Sequence, residues 1–374
     1  MNASESGHDT ETPIAAGGLL YRGTGDVLPD VPYEERTWPE GPRWRTFNGG
    51  PCLPAPPEDD EPDRRLGPVG AERQPPDAEV RLVNAAILLR RPLLVSGRPG
   101  VGKSALAYRI ARELRLGRVL QWPVTSRTTL ESGLFEYDVI GRAQAGQAWY
   151  AAQARPGTPG DAEPEAAHAP TDIGDFIQLG PLGTALLPHR LPRVLLIDEI
   201  DKGDVDLPND LLTLFEDGWY SVPPLVRVKR QSPTVVVHTA DPGRTAPIVE
   251  GHVRARTFPI VVMTSNGERE FPEAFLRRCL RLDVPDPDPQ ALGELVAAHF
   301  GDRLGDIPRE LIRDFMMRSE EAHGLAADQL LNAAHLATSG AYSSTAGDDA
   351  EWRAVLRSVW HPLTGETDEA DQRA

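Results

Sequence analysis

Eight consecutive residues, Gly97-Arg98-Pro99-Gly100-Val101-Gly102-Lys103-Ser104, satisfy the spacing G-x-x-x-x-G-K-[ST] in full. Glycines at this spacing let the backbone turn so that several N–H groups face one anion. An apolar run, "PLLVSG", leads into the loop, and a helical pattern, "KSALAYRIARELRLG", leads out of it. That context presents the positive end of a helix to a phosphate. Lys103 is the residue to reach the β- and γ-phosphates of a nucleotide, and the Ser104 hydroxyl is the one to ligate Mg²⁺. Ala105 continues the loop into the helix and is counted with the phosphate-contacting residues.

Three further groups decide what is done with a bound nucleotide. "RVLLIDEIDKGD" delivers Asp198 and Glu199 from an apolar run. Asp198 suits the water shell of the metal, and with Ser104 it forms the expected metal pair. Glu199 stands where it can polarise a water for attack on the γ-phosphate. "FPIVVMTSN" ends in Asn266, an amide that either positions that water or caps the strand-end turn. Arg277 and Arg278 follow eleven and twelve residues later, on a short helix expected near Pro272. Arginine suits phosphate contact by its planar fork of donors. The plainer reading of this pair is a surface ion pair.

The elements that must position these groups alternate between strand and helix. Helical periodicity runs through "DAEVRLVNAAILLRR", with Val80, Val83, Ala86 and Ile87 on one stripe. "PLLVSG", "RVLLID" and "FPIVVM" suit central parallel strands, which are buried on both faces; "RVLQWPV" is a further candidate. Beyond Val284, "PDPDP" marks a boundary, and helices are expected near Pro289–Phe300, Pro308–Glu321, Ala326–Thr338 and Ala350–Trp360. Asp288 before Pro289 reads as an N-cap followed by proline at the first helical position. "QARPGTPGDAEPEAAHAP" reads as a mobile loop.

Residues 1–77 hold 13 of the 36 prolines, with 15 acidic against 7 basic residues. That composition predicts a largely disordered acidic arm. One patch in it differs, "RTWPEGPRWRTF" with Trp38, Trp44 and Phe47: it either docks on a folded domain or stays loose. The expected division is an arm (1–77), an α/β nucleotide-binding domain (78–284) with inserts near 127–190 and 222–257, a helical domain (285–361) and an acidic tail (362–374). The formal net charge of −17 argues against a protein that coats nucleic acid indiscriminately. Two distant cysteines, Cys52 and Cys279, form no disulfide framework or zinc site. No apolar run is long enough to span a membrane, and the first residues do not read as a secretory signal. The expectation is a cytoplasmic protein with no membrane partner.

Taken together, these pieces resemble the AAA+ ATPase superfamily: Walker A at Gly97–Ser104, Walker B at Leu195–Glu199, sensor 1 at Asn266 and an arginine-finger segment at Phe275–Cys279. Within it the chain resembles the MoxR-like, dynein-related branch, through "LGPLGTALLP", "DKGDVDLPNDLLTLFEDGWYSV" and "LRRC". Independently, 95 residues separate Lys103 from Asp198 and 68 separate Asp198 from Asn266, which leaves room for inserts. The resemblance implies a three-layer α/β P-loop core with a parallel sheet and a small all-α lid. It implies ATP and Mg²⁺ as cofactors, ATP hydrolysis, assembly into a hexameric ring, and remodelling of a protein partner, with von Willebrand A domain proteins as one implied class. Arg278 is preferred as the finger, with Arg277 the second choice. Two alternatives stay open. One is a nucleic-acid-stimulated motor or restriction-type translocase, for which "RVKR" (227–230) and "HVRAR" (252–256) are basic clusters that equally suit a solvated hairpin. The other is an ATP-dependent assembly switch with negligible hydrolysis. A sensor 2 arginine is missing from its usual place, where Ala326-Ala327-Asp328 stand; Arg318 is the substitute to consider.

Overall fold

Short apolar runs, each buried on both sides, assemble into one parallel sheet. The computed structural model describes residues 19–67, 73–153, 172–300, 309–321, 325–339 and 349–360. Along the chain come α1 (Glu61–Leu66), α2 (Asp77–Leu89), β1 (Leu93–Ser96), α3 (Ala105–Glu113) and β2 (Leu120–Pro123). Then follow α4 (Leu130–Leu134), β3 (Phe135–Tyr137), α5 (Val139–Gln153), β4 (Ile177–Leu179), α6 (Pro181–Ala185) and β5 (Val194–Asp198). Next are α7 (Leu207–Asp217), β6 (Trp219–Ser221), α8 (Pro223–Val228), β7 (Thr234–His238), β8 (Thr245–Val249), β9 (His252–Arg254) and β10 (Ile260–Ser265). The described chain closes with α9 (Glu273–Leu276), β11 (Leu280–Asp283), α10 (Pro289–Phe300), α11 (Arg309–Glu321), α12 (Ala327–Thr338) and α13 (Asp349–Val359).

The central sheet has the order β11-β1-β10-β5-β2, and every neighbouring pair is parallel. Leu93 pairs with Val262 and Leu280, and Val194 pairs with Ile260, so the strands end together at one edge. The expected strands at 93, 120, 194 and 260 are all present. β11 is an additional edge strand.

The two expected inserts are not separate decorations. Their strands join β6 in a second sheet of order β3-β4-β7-β8-β9-β6. Its inward residues, among them Val235, Val237, Ala246, Ile248 and Val253, are buried in the same core cluster as Leu195, Ile197 and Met263 of the central sheet. The helical domain has its own core of Leu292, Val296, Phe315, Leu330 and Trp360. Asp288 caps α10 as expected, its Oδ1 accepting from the Ala291 N–H at 2.8 Å. The expected loop is outside the described residues from 154 to 171, as are the tail and residues 1–18 of the expected arm.

Residues 19–67 differ from the disordered arm that composition predicts. They form a strap on the α/β domain, largely without regular structure, clamped by buried polar side chains. Asn84 of α2 accepts from the N–H groups of Leu20 and Tyr21 at 2.9 and 3.1 Å and donates to the Tyr21 carbonyl at 2.7 Å. The Tyr21 hydroxyl, fully buried, donates to Glu79 at 2.6 Å. Arg73 fixes the same carboxylate through two 2.7 Å contacts. Glu113 of α3 accepts from Arg22 and Gly23. These partners stand about 60 to 90 residues from the strap, so local composition carries no sign of them. Of the aromatic patch, Phe47 stacks on Phe258 with centroids 5.3 Å apart and Trp38 packs on the core, while Trp44 remains 82% exposed.

Further along, the strap meets His189 through a bridge from Leu53. His189 is buried beside the Arg193–Asp241 ion pair, and neither ring nitrogen has a hydrogen-bond partner. Burial, reinforced by the Arg193 charge, pushes its pKa down to about 4.

Replacing Asn84 with alanine strands two backbone donors, so the variant should lose about 2 kcal/mol of stability in urea unfolding, and the strap should be cut faster in limited proteolysis. His189 generates a pH dependence of known sign. The unfolded chain takes up its proton near pH 6.5 and the fold only near 4. Stability is therefore full above pH 6.5 and falls on acidification toward pH 4, by up to about 3 kcal/mol from this group. Between pH 7.5 and 4.5, His189→Gln should lose less stability than the wild type, as read by unfolding at both pH values.

Candidate functional site

The cradle sits where β1 ends and α3 begins. Lys103 is buried, and its ammonium donates to the carbonyls of Gly97 and Arg98, both at 2.7 Å. Its third donor goes to Asn266 Oδ1 at 2.8 Å. The first two contacts tie the lysine back across its own loop; the third ties the loop to the end of β10. Burial pulls the Lys103 pKa down, while Asp201, Asp198 and Glu199 oppose that shift.

Asp198 closes β5 beside the cradle. Its Oδ1 accepts from Ser104 Oγ at 2.7 Å and from Thr264 Oγ1 at 2.6 Å. Gln121 Nε2 approaches its other oxygen at 3.5 Å. The expected metal pair is thus assembled, and its chemistry fits magnesium. Two hard oxygen ligands leave the remaining positions to water and phosphate oxygens, as Mg²⁺ prefers. Among the described residues no group of three or more His, Cys, Asp or Glu side chains converges as a metal site.

Glu199 follows in a left-handed conformation, φ 59° and ψ 50°. A side chain other than glycine adopts this region at a cost, and such strain gathers at functional positions. The Glu199 N–H donates to Thr264 Oγ1 at 2.9 Å, so Thr264 receives one bond and passes another to Asp198. The Glu199 carboxylate pairs with Lys202 at 2.9 Å, at the half-exposed mouth of the site. Asp201, buried, accepts through Oδ2 from the N–H groups of Asn266 at 2.9 Å and Glu268 at 3.1 Å. It thereby sets the loop that carries Asn266.

The lid closes one side. The Ala327 N–H donates to the Gly100 carbonyl at 3.2 Å. Gly100 has φ +78°, and a Cβ there would lie 2.4 Å from Ala326 Cα. Glycine is required at this position both for its backbone conformation and for the approach of the lid. The stretch Ala326–Asp328 does stand beside the cradle, and it brings no cation there.

Arg277 and Arg278 are not brought to this site. They follow α9 and precede β11, whose first residue, Leu280, pairs with Leu93 at the start of β1. The cradle follows the other end of β1. The two are therefore separated by the length of the strand, on the order of 10 Å. Arg277 is exposed, and Arg278 pairs with Glu216. Cys279 behind them is buried, its thiol pushed up to about 12.

Thr264 and Asp201 were not singled out by the sequence. Thr264 and Ser265 are the two hydroxyls that end an otherwise apolar strand, and Thr264 stands two residues before Asn266 and so on the same strand face. That placement was the available signal. For Asp201 there was only its closeness to Glu199.

The family model for the AAA domain of the dynein-related subfamily matches residues 92–279. This chain belongs to that AAA family. The match opens on β1 and closes just after Arg278, so it covers the cradle, Asp198–Glu199 and Asn266 together. No curated protein matches the sequence. Among solved structures, the FIGL-1 AAA domain in complex with ADP is 15% identical, with a TM-score of 0.33 over 74% of each chain. PCH-2 of C. elegans is 16% identical, with a TM-score of 0.32 over 75% of this chain and 64% of that one. Among the described residues no helix is long and apolar enough to cross a membrane.

Thr264→Val should remove both hydrogen bonds while keeping shape. The expected result is a fall in turnover of about tenfold or more with nucleotide affinity changed little, as an interaction that orients Asp198 and Glu199 predicts. Thr264→Ser should recover most of the rate. Steady-state kinetics with a separate nucleotide-binding measurement checks both.

Proposed function

We propose that the chain is an ATP-hydrolysing AAA+ protein of MoxR-like type, which assembles into a ring and uses hydrolysis to remodel a protein partner. The observation that carries this reading is the convergence of Lys103, Ser104, Asp198, Glu199 and Asn266 at one sheet edge. Ser104 and Asp198 share a 2.7 Å contact, and Lys103 and Asn266 a 2.8 Å contact. Lys103 and the loop amides hold the phosphates. When Mg²⁺ is bound through Ser104 and Asp198, it supplies neutralising charge for the leaving phosphates. Glu199 takes a proton from the attacking water, and Asn266 holds that water in line. For Glu199 to serve, its carboxylate must leave Lys202, whose charge otherwise occupies it.

Arg277 and Arg278 lie at the far end of β1 from their own cradle. Their service is to a phosphate carried by another copy, which is why the reading includes a ring. Arginine supplied in this way neutralises charge in the transition state. The partner is a protein client, with von Willebrand A domain proteins the implied class. A second reading, an ATP-dependent assembly switch, draws on the cation-free lid contact at Ala326.

Turnover per subunit should rise steeply with protein concentration and vanish in Glu199→Gln, with ATP still bound. ATPase assays across a dilution series check this. Bound ATP without turnover at any concentration would favour the switch.

A further inference from the structure

Around Arg277 and Arg278 lies a cleft of about 750 Å³, lined by Trp44, Arg45, Leu89, Arg91, Glu216 and the two arginines themselves. Four guanidinium groups face one carboxylate there, and that carboxylate, Glu216, is engaged by Arg278. The lining thus carries a net charge of +3 in a chain whose net charge is −17. Two of its cations, Arg45 and Arg91, are held by backbone oxygens rather than by an acid. Arg45 donates to the Phe215 carbonyl at 2.6 Å, and Arg91 donates to the Arg277 carbonyl at 3.0 Å. Partial burial, with Arg91 and Arg278 nearby, pulls the Arg45 pKa down against the opposing charge of Glu216. Like charges assembled this closely cost free energy until an anion joins them.

Two of the lining residues come from the strap. Trp44 is exposed but not loose, because the chain is fixed immediately after it. Arg45 is tied to Phe215, and Phe47 covers Gly218, where a Cβ would come within 2.3 Å of the ring. Just beyond, the Gly49 N–H donates to the Ala255 carbonyl at 2.9 Å. A fixed, exposed tryptophan beside arginines has the composition of an interface anchor.

We propose that Trp44 and Arg45 of the strap complete a docking face with Arg91, Arg277 and Arg278, and that its occupant is the phosphate-bearing cradle edge of a second copy of this chain. Charge complementarity selects the occupant. The edge beside the cradle presents Asp204, Asp206 and Glu268, which outnumber the exposed Lys202 and Arg269 there, together with any bound phosphates. Between the two aspartates stands Val205, 60% exposed, an apolar surface for Trp44. The strap is then part of the working site of the neighbouring subunit rather than a wrap on its own. This inference rests on the ring reading above and extends it to residues outside the matched AAA segment.

The test uses the full-length chain with Arg45→Ala and Trp44→Ala. Both should bind ATP as the wild type does, because their own cradles are intact, and both should turn over at least about tenfold more slowly at equal concentration. Glu199→Gln keeps an intact docking face. Mixed with either variant, it should restore turnover above the sum of the separate proteins, because its face serves the variant's cradle. Wild-type rates in both variants would overturn the proposal. So would slow rates without rescue by Glu199→Gln, since that outcome places the effect within one subunit. A change in Trp44 fluorescence on adding ATP to dilute monomer, absent from Trp44→Phe, would overturn it in favour of a free nucleotide in the cleft. If the wild type assembles with ATP but does not turn over, the hydrolytic reading alone fails, and loss of assembly in Trp44→Ala by sedimentation still supports the docking face. A wild type that stays monomeric with ATP bound would overturn the face and the ring together.

Discussion

One carboxylate oxygen, Oδ1 of Asp198, holds the working edge of the sheet together. It receives the hydroxyl of Ser104 from the cradle and that of Thr264 from β10. Three segments distant in sequence are thereby set within hydrogen-bonding reach of one atom. The oxygen lies at the mouth of a sheet whose strands are otherwise apolar, where a charged group is tolerated only with partners. The demand for partners and the demand for a metal ligand are met by the same hydroxyl, Ser104. Thr264 then passes the constraint on to the backbone of Glu199, so the strained conformation of that residue is supported by the group that orders the metal pair.

Sequence pattern disclosed the cradle, its acids and the central strands because each depends on short-range information. β1, β5 and β10 are apolar up to the residues at their C-terminal ends, since helices and the second sheet cover both faces. Leu280-Arg281-Leu282-Asp283 alternates, as an edge strand does, and four residues are too few for that alternation to stand out. The second sheet was hidden for a different reason. Its strands are three to five residues long; β7 and β8 form a local hairpin, but β4 and β7, whose pairing joins the two inserts, lie more than 50 residues apart. Their spacing shows only that something is inserted, and pairing between distant pieces leaves no local trace.

The strap shows how far composition can mislead. Thirteen prolines and an excess of acid across residues 1–77 describe a segment that cannot fold by itself. They do not show that Asn84, Glu79 and Glu113 are waiting on the domain to take its backbone groups. A polar residue on the buried side of a helix is the available clue. In α2, Glu79 and Asn84 are both buried, whereas Val80, expected on the apolar stripe, is only half so.

The same anchoring decides which surface the strap can serve. Its first contacts are to α2 and α3, on the cradle helix, whereas Arg45 and Phe47 reach the turn after α7 at the opposite end of β1. One irregular segment therefore touches the helix that binds phosphate and the face that carries Arg278. The strap joins the two outside the sheet edge, in parallel with the more direct route through β1.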